Sequence, residues 1–192
     1  MVPAADGEIE RAWSRIEAWM EANAPAAHAV LRPGASETAI RAAEQRADLQ
    51  FPEALRRSLA RHDGQEWGWP SLVEFGILMP LHEMVVRYRD NESAGVDEWE
   101  GHEEEAWWRR GWFPFVSRDG DYLSLALGPA GTGEVVCFQH DQEPIHSVVA
   151  PDFATWLERW ADELVAGVFE VDRAPGAGLL PRADATSRLW PE

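Results

Sequence analysis

Lysine is absent from this chain of 192 residues; every one of its 17 basic side chains is arginine. A lysine Schiff base and the phosphate grip of a Walker-type loop are therefore excluded. Cysteine is almost absent as well. The single Cys137 sits in a β-branched run with Val135, Val136 and Phe138, where it reads as a small apolar side chain in a reducing compartment. No uninterrupted apolar run reaches the roughly 20 residues that a bilayer-crossing helix needs. The first ten residues carry Asp6, Glu8 and Glu10 in place of the basic start and apolar stretch of a secretory signal. These absences predict a cytoplasmic protein held together by its core alone, and 45% hydrophobic residues suffice for one domain.

Positive charge is scarce relative to negative. The formal net charge of −17 repels phosphate backbones and anionic lipid, whose binding rests on Lys and Arg, so neither nucleic acid nor a membrane is expected as partner. A basic protein is, since opposite charge speeds encounter and guides orientation. Acidity that only maintains solubility accounts for the charge equally well.

Apolar spacing outlines the elements. Ile9, Trp13, Ile16 and Met20 form a helical stripe, with Asp6 as its expected cap. A linker follows Asn23. Ser36 then caps a second helix with Ile40, Ala43, Glu44 and Ala47 inward, and a third runs from Pro52 to Gly64. Residues 71–78 read as extended, and Leu81, Met84, Val85 and Tyr88 mark a short helix. Strands are predicted at 113–116, 122–127, 134–139 and 145–149, the first two joined by the Asp119-Gly120 turn. Asp152 caps a last helix carrying Phe153, Trp156, Leu157, Trp160 and Leu164. The order predicts an α+β fold, an antiparallel meander covered by the first and last helices. The domain is expected over residues 8–168, with a loosely ordered tail over 169–192.

Several phrases along this order resemble the SUKH superfamily, in particular its subgroup similar to the fungal cell-wall-assembly regulator. They are Leu31-Arg32-Pro33-Gly34-Ala35-Ser36-Glu37, Phe51-Pro52-Glu53-Ala54-Leu55-Arg56, His62-Asp63-Gly64-Gln65, Trp112-Phe113-Pro114-Phe115, Asp119-Gly120-Asp121-Tyr122-Leu123, Gly133-Glu134-Val135-Val136 and residues 153–157. The resemblance implies a scaffold with a variable surface, used by bacterial immunity proteins and intracellular interaction modules, without shared catalytic residues. Where the family often has an aspartate near the end of the second hairpin strand, this chain has Ala126-Leu127-Gly128.

Motifs of catalysis are incomplete. His82-Glu83 and His102-Glu103 lack the second histidine of a zinc-protease helix, Val86 and Ala106 standing there. His62-Asp63 lacks further phosphohydrolase ligands and reads as a helix end. Gly131-Thr132-Gly133 precedes a strand where a dinucleotide fingerprint needs a helix, and Ser36 has Thr38 where a nucleophile elbow needs glycine. His140, Asp141 and His146 form a weak metal-binding pattern. No metal, no cofactor and no catalytic residue is predicted.

Tryptophan, by contrast, is abundant at 11 residues. Trp13, Trp156 and Trp160 lie on apolar helix faces and read as core. Trp67, Trp69, Trp99, Trp107 and Trp108 fall among turns and charges, near Asp97, Glu98, Glu100, Glu103, Glu104 and Glu105. Because tryptophan is enriched at interface hot spots, these residues are the predicted partner-binding face, with the segment 97–108 exposed; the competing reading has the rings lidding the sheet. The expected function is protein binding, most concretely an immunity protein occluding a basic nuclease toxin. A regulatory scaffold is the alternative, and a carbohydrate binder or hydrolase the third reading.

Overall fold

The computed structural model describes residues 7–68, 70–95, 108–128, 131–141, 146–172 and 178–191. Six helices are described: α1 (Glu8–Asn23), α2 (Pro25–Ala29), α3 (Glu37–Ala47), α4 (Glu53–Arg61), α5 (Leu81–Gly95) and α6 (Phe153–Val165). Strands β1 (Ile77–Leu78), β2 (Trp112–Arg118), β3 (Asp121–Ala126), β4 (Val135–Phe138) and β5 (His146–Ala150) form one antiparallel sheet in sequence order. This is the α+β meander expected from the alternation of side chains, with β1 added at one edge. No helix among the described residues is long and apolar enough to cross a membrane.

Local chemistry sets the element boundaries. Ser36 accepts a hydrogen bond from Ala39 N and Asp152 one from Thr155 N, so both expected caps open their helices. The cap expected at Asp6 lies outside the described residues. Pro114 has no N–H to give the sheet, and the β2–β3 register shifts immediately after it, a bulge that accommodates the proline. Asp119 and Gly120 have φ of 51° and 98°, the two left-handed residues of the expected hairpin turn.

Both faces of β3 are buried, for different reasons. Register pairs Leu123 with Cys137 and Leu125 with Val135 on one face, and Tyr122 with Phe138 on the other. On the helical side Phe115 packs edge-on against Phe153 and Trp156 of α6. Helix α1, expected to cover the sheet, docks mainly on α6 and α4. The reason lies in Trp13, whose ring meets Trp160 at 5.8 Å and whose indole N–H donates to Ser58 Oγ in α4 at 2.9 Å. The buried apolar side chains form one continuous cluster from Ile9 to Trp190.

Three expectations need correction. Residues 24–34 contain the short helix α2, whose Ala27 is buried, where a linker was expected. Only Ile77 and Leu78 of the segment 71–78 are extended, since a tight turn precedes them. The tail over 169–192 is not loose in its described part. It forms a hairpin of β6 (Phe169–Val171) and β7 (Leu179–Pro181), then buries Leu189 and Trp190. Its anchor is Glu163 of α6, 3% exposed, which accepts from Ser187 Oγ at 2.7 Å and from both the backbone N and the Nε of Arg188.

A candidate aromatic and acidic cleft

Two large aromatic side chains stay exposed among the described residues, Trp67 at 56% and Phe75 at 53%, and both line one cleft of about 640 Å³. Its opposite wall comes from the sheet: Ile77 of β1, Ser117 and Arg118 of β2, Asp119 in the turn, Asp121 of β3, and His140 and Asp141 after β4.

The loop carrying Trp67 is held from below by a polar residue. Gln65, fully buried, donates through Nε2 to Pro70 O at 2.9 Å and accepts at Oε1 from Leu78 N at 2.9 Å. One amide thus ties both ends of the loop to β1. Outside it, Glu66 N donates to Val30 O, and Arg32 pairs with Glu66 at 3.0 Å.

Phe75 is presented by strain. Glu74 and Phe75 have φ of 45° and 68°, and Gly76 N donates to Val73 O at 2.6 Å, which makes Val73–Gly76 a turn with both central residues left-handed. Such turns favour Asn-Gly or Asp-Gly, as the neighbouring Asp119-Gly120 turn has. An aromatic at the second central position costs roughly 1–2 kcal/mol. Gly76 cannot be replaced, because a Cβ there would stand 2.7 Å from both Val116 Cγ1 and Val73 O. The backbone strain holds the Phe75 ring in solvent, and strain of this kind concentrates at binding sites. Phe75→Gly is therefore expected to leave the fold intact and to raise its stability by up to ~1 kcal/mol, the relieved strain exceeding the extra chain entropy of glycine. Urea titration measures this, and a loss above ~1 kcal/mol would make the ring a structural part of the fold.

Charge in the cleft is unevenly committed. Asp121, 6% exposed, accepts through Oδ1 from the backbone N of His140 at 3.0 Å and bonds its Nδ1 at 2.7 Å; Oδ2 lies 3.8 Å from Arg118. The hydrogen bond that His140 donates to Asp121 raises the histidine's pKa. Arg118 is held in turn by Trp190, whose ring lies 4.1 Å from the guanidinium. Asp119 and Asp141 also line the cleft, and both add negative potential around His140.

Asp121 orients His140 as a base would be oriented, and Ser117 lines the same cleft. Among the described residues, however, Ser117 makes no hydrogen bond to the histidine, so the nucleophile–base contact of a hydrolase is missing. Burial pushes the Cys137 thiol up to about 12, which keeps it protonated. Asp121, His140 and Asp141 offer ligand atoms within 4.8 Å of one another, but Asp121 and His140 are bonded to each other and Arg118 stands beside them. His146, expected with His140 and Asp141, packs instead on Trp112 at 4.6 Å. His62 is the helix-end residue it was expected to be, bonded to Arg32 O and Glu17.

Of the predicted partner-binding residues, Trp67 is exposed at the cleft. Trp108 is a correction: it is 3% exposed, with its ring edge-on to Trp112, Tyr122 and Phe138, and it lids the second face of the sheet. The reason is area, since an indole packed against Trp112, Tyr122 and Phe138 buries a large apolar surface on that face. Trp69, Asp97, Glu98, Trp99, Glu100, Glu103, Glu104, Glu105 and Trp107 lie outside the described residues. Sequence reasoning missed Phe75, Arg118, Asp119 and Asp121 as cleft residues; the one signal for them was the Asp-Gly turn.

Comparison with known proteins places this geometry in a family. Residues 34–159 match the SMI1 / KNR4 family (SUKH-1). The chain is 27% identical over 190 residues to "Cell wall biosynthesis/cell cycle regulator smi1" of Schizosaccharomyces pombe, an alignment covering 85% of this chain and 38% of that protein. It is 26% identical over 213 residues to "Glucan synthesis regulatory protein" of Neurospora crassa, covering 85% of this chain and 40% of that one. The chain thus spans about two-fifths of the length of these curated relatives. With the matched region running from the loop before α3 to the middle of α6, and so through every strand of the main sheet, the chain belongs to the SMI1 / KNR4 family (SUKH-1).

Proposed function

We propose that this chain is a non-catalytic, protein-binding regulatory module that docks its partner at the Trp67–Phe75 cleft. The observation that carries this reading is the convergence of the two exposed aromatics among the described residues on one cleft, one of them held there by a strained turn. Tryptophan and other aromatic side chains are the usual anchors of interfaces. The names of the two fungal relatives support a regulatory role over an enzymatic one. Asp97, Glu98, Glu100, Glu103, Glu104 and Glu105, with Trp99 and Trp107, belong to the proposal as an acidic segment whose charge steers a basic partner.

The net charge of −17 favours a second reading, an immunity protein that occludes a basic toxin. It requires a neighbouring gene whose product is toxic when expressed alone and harmless with this chain.

Co-purification tests the docking site. A partner retained by the wild-type chain is expected to be lost with Trp67→Ala, because truncating a hot-spot aromatic costs ~2 kcal/mol or more, about 30-fold in affinity. Equal recovery by the variant would move the binding site away from this cleft.

A further inference from the structure

We propose that the cleft is an arginine receptor: resting on the docking role above, it takes an arginine side chain of a basic partner segment, the guanidinium stacked on Trp67 or Phe75 and paired with Asp119 and Asp141. The cleft offers both halves of that recognition. Its exposed aromatic faces attract a cation through the ring quadrupole. Its ionisable lining sets three carboxylates, Asp119, Asp121 and Asp141, against two groups that can carry positive charge, Arg118 and His140; Asp121 already engages both of these, and Trp190 also holds Arg118. Asp119 and Asp141 form no ion pair among the described residues, so both carboxylates face an occupant without losing a bond within the fold.

The chain itself displays this recognition in the same place. Arg118 lies over the Trp190 ring at 4.1 Å with Asp121 Oδ2 at 3.8 Å, an aromatic face below a guanidinium and a carboxylate at its edge. Arginine suits such a site better than lysine, because its planar group stacks on a ring and presents a fork of donors to a carboxylate while an ammonium is a strongly hydrated point charge.

The test uses the full chain, labelled with ¹⁵N, and the blocked peptide Ac-Gly-Arg-Gly-Arg-Gly-NH₂ at low salt. Shifts are expected at the Trp67 indole N–H and at the amides of Gly68, Phe75, Asp119 and Asp141. The same peptide with citrulline for arginine keeps the shape without the charge and is expected to bind at least ~10-fold more weakly, as is the wild-type peptide with Asp119→Asn/Asp141→Asn, since a hydrogen bond to a charged group contributes about 1.5–3 kcal/mol. Asparagine tolerates the positive φ of residue 119, which protects the fold of that variant. Equal binding of the citrulline peptide, shifts confined to residues outside the cleft, or cleft shifts produced by a neutral β-glucan oligosaccharide and not by the peptide would overturn the arginine assignment. If the arginine peptide fails while Trp67→Ala still abolishes capture of a protein partner, docking at the cleft stands and this inference alone falls.

Discussion

Replacing Trp156 with alanine is expected to lower the unfolding free energy by about 3–5 kcal/mol, the cost of removing a fully buried aromatic from a packed core. Trp156 is the hinge of the aromatic core: its ring meets Phe115 in β2 at 4.9 Å, Phe153 at 5.9 Å and Trp160 at 5.8 Å, and Trp160 passes the contact to Trp13 of α1. Its indole N–H also points at Leu189 O of the tail, at 3.4 Å. Alanine there leaves a cavity where the sheet, α6 and the tail meet. With ~2–4 °C lost per kcal/mol in a chain of this size, the melting temperature is expected to fall by roughly 6–20 °C. Trp156→Phe, which retains most of the ring area, is expected to lose less than half as much. A loss under ~1 kcal/mol for the alanine variant would mean that α6 does not rest on the sheet through this residue.

Deleting residues 187–192 is expected to destabilise the chain by at least ~4 kcal/mol. Two effects add. Leu189 and Trp190, 0% and 2% exposed, leave the core, and each contributes about 1.5–3 kcal/mol of burial. Glu163 loses its hydrogen bonds from Ser187 and Arg188 while staying inside, and an abandoned buried charge costs about 3–5 kcal/mol before the structure relaxes. The same deletion combined with Glu163→Gln is expected to be less damaging than deletion alone, since a neutral amide is cheaper to strand than a carboxylate. Urea denaturation of the three chains measures both differences. A deletion costing under ~1 kcal/mol would restore the picture of a loose tail.

That tail shows where sequence reasoning stops. The meander and α6 were legible because each buries a repeating pattern, Leu123 and Leu125 on one side of a strand or Phe153, Trp156, Leu157, Trp160 and Leu164 along a helix. The tail has no period; it is fastened by single residues, Leu189 and Trp190 into the apolar core and Ser187 and Arg188 onto the buried Glu163. Trp108 misled for a related reason. Its acidic neighbours in sequence suggested water, while its partners Tyr122 and Phe138 lie in strands that register brings beneath it. The cleft was half visible. Trp67 stands out in a loop of glycine and proline, but Phe75 falls in the segment 71–78 that reads as extended, with nothing to single it out. Only the left-handed conformation of Glu74 and Phe75 turns it outward. Asp121, His140 and Arg118 meet through the β2–β3 turn and the end of β4, a juxtaposition that exists only once the sheet has formed.

The central claim, that this family member binds a protein partner through exposed aromatics held by the fold, is tested most directly by one side-by-side measurement. The dissociation constant of a co-purified partner is determined for the wild-type chain and for Trp67→Ala/Phe75→Gly, with thermal melts of both proteins. The account predicts affinity weaker by about 30-fold or more at an unchanged or slightly raised melting temperature. Equal affinity at equal stability would contradict it.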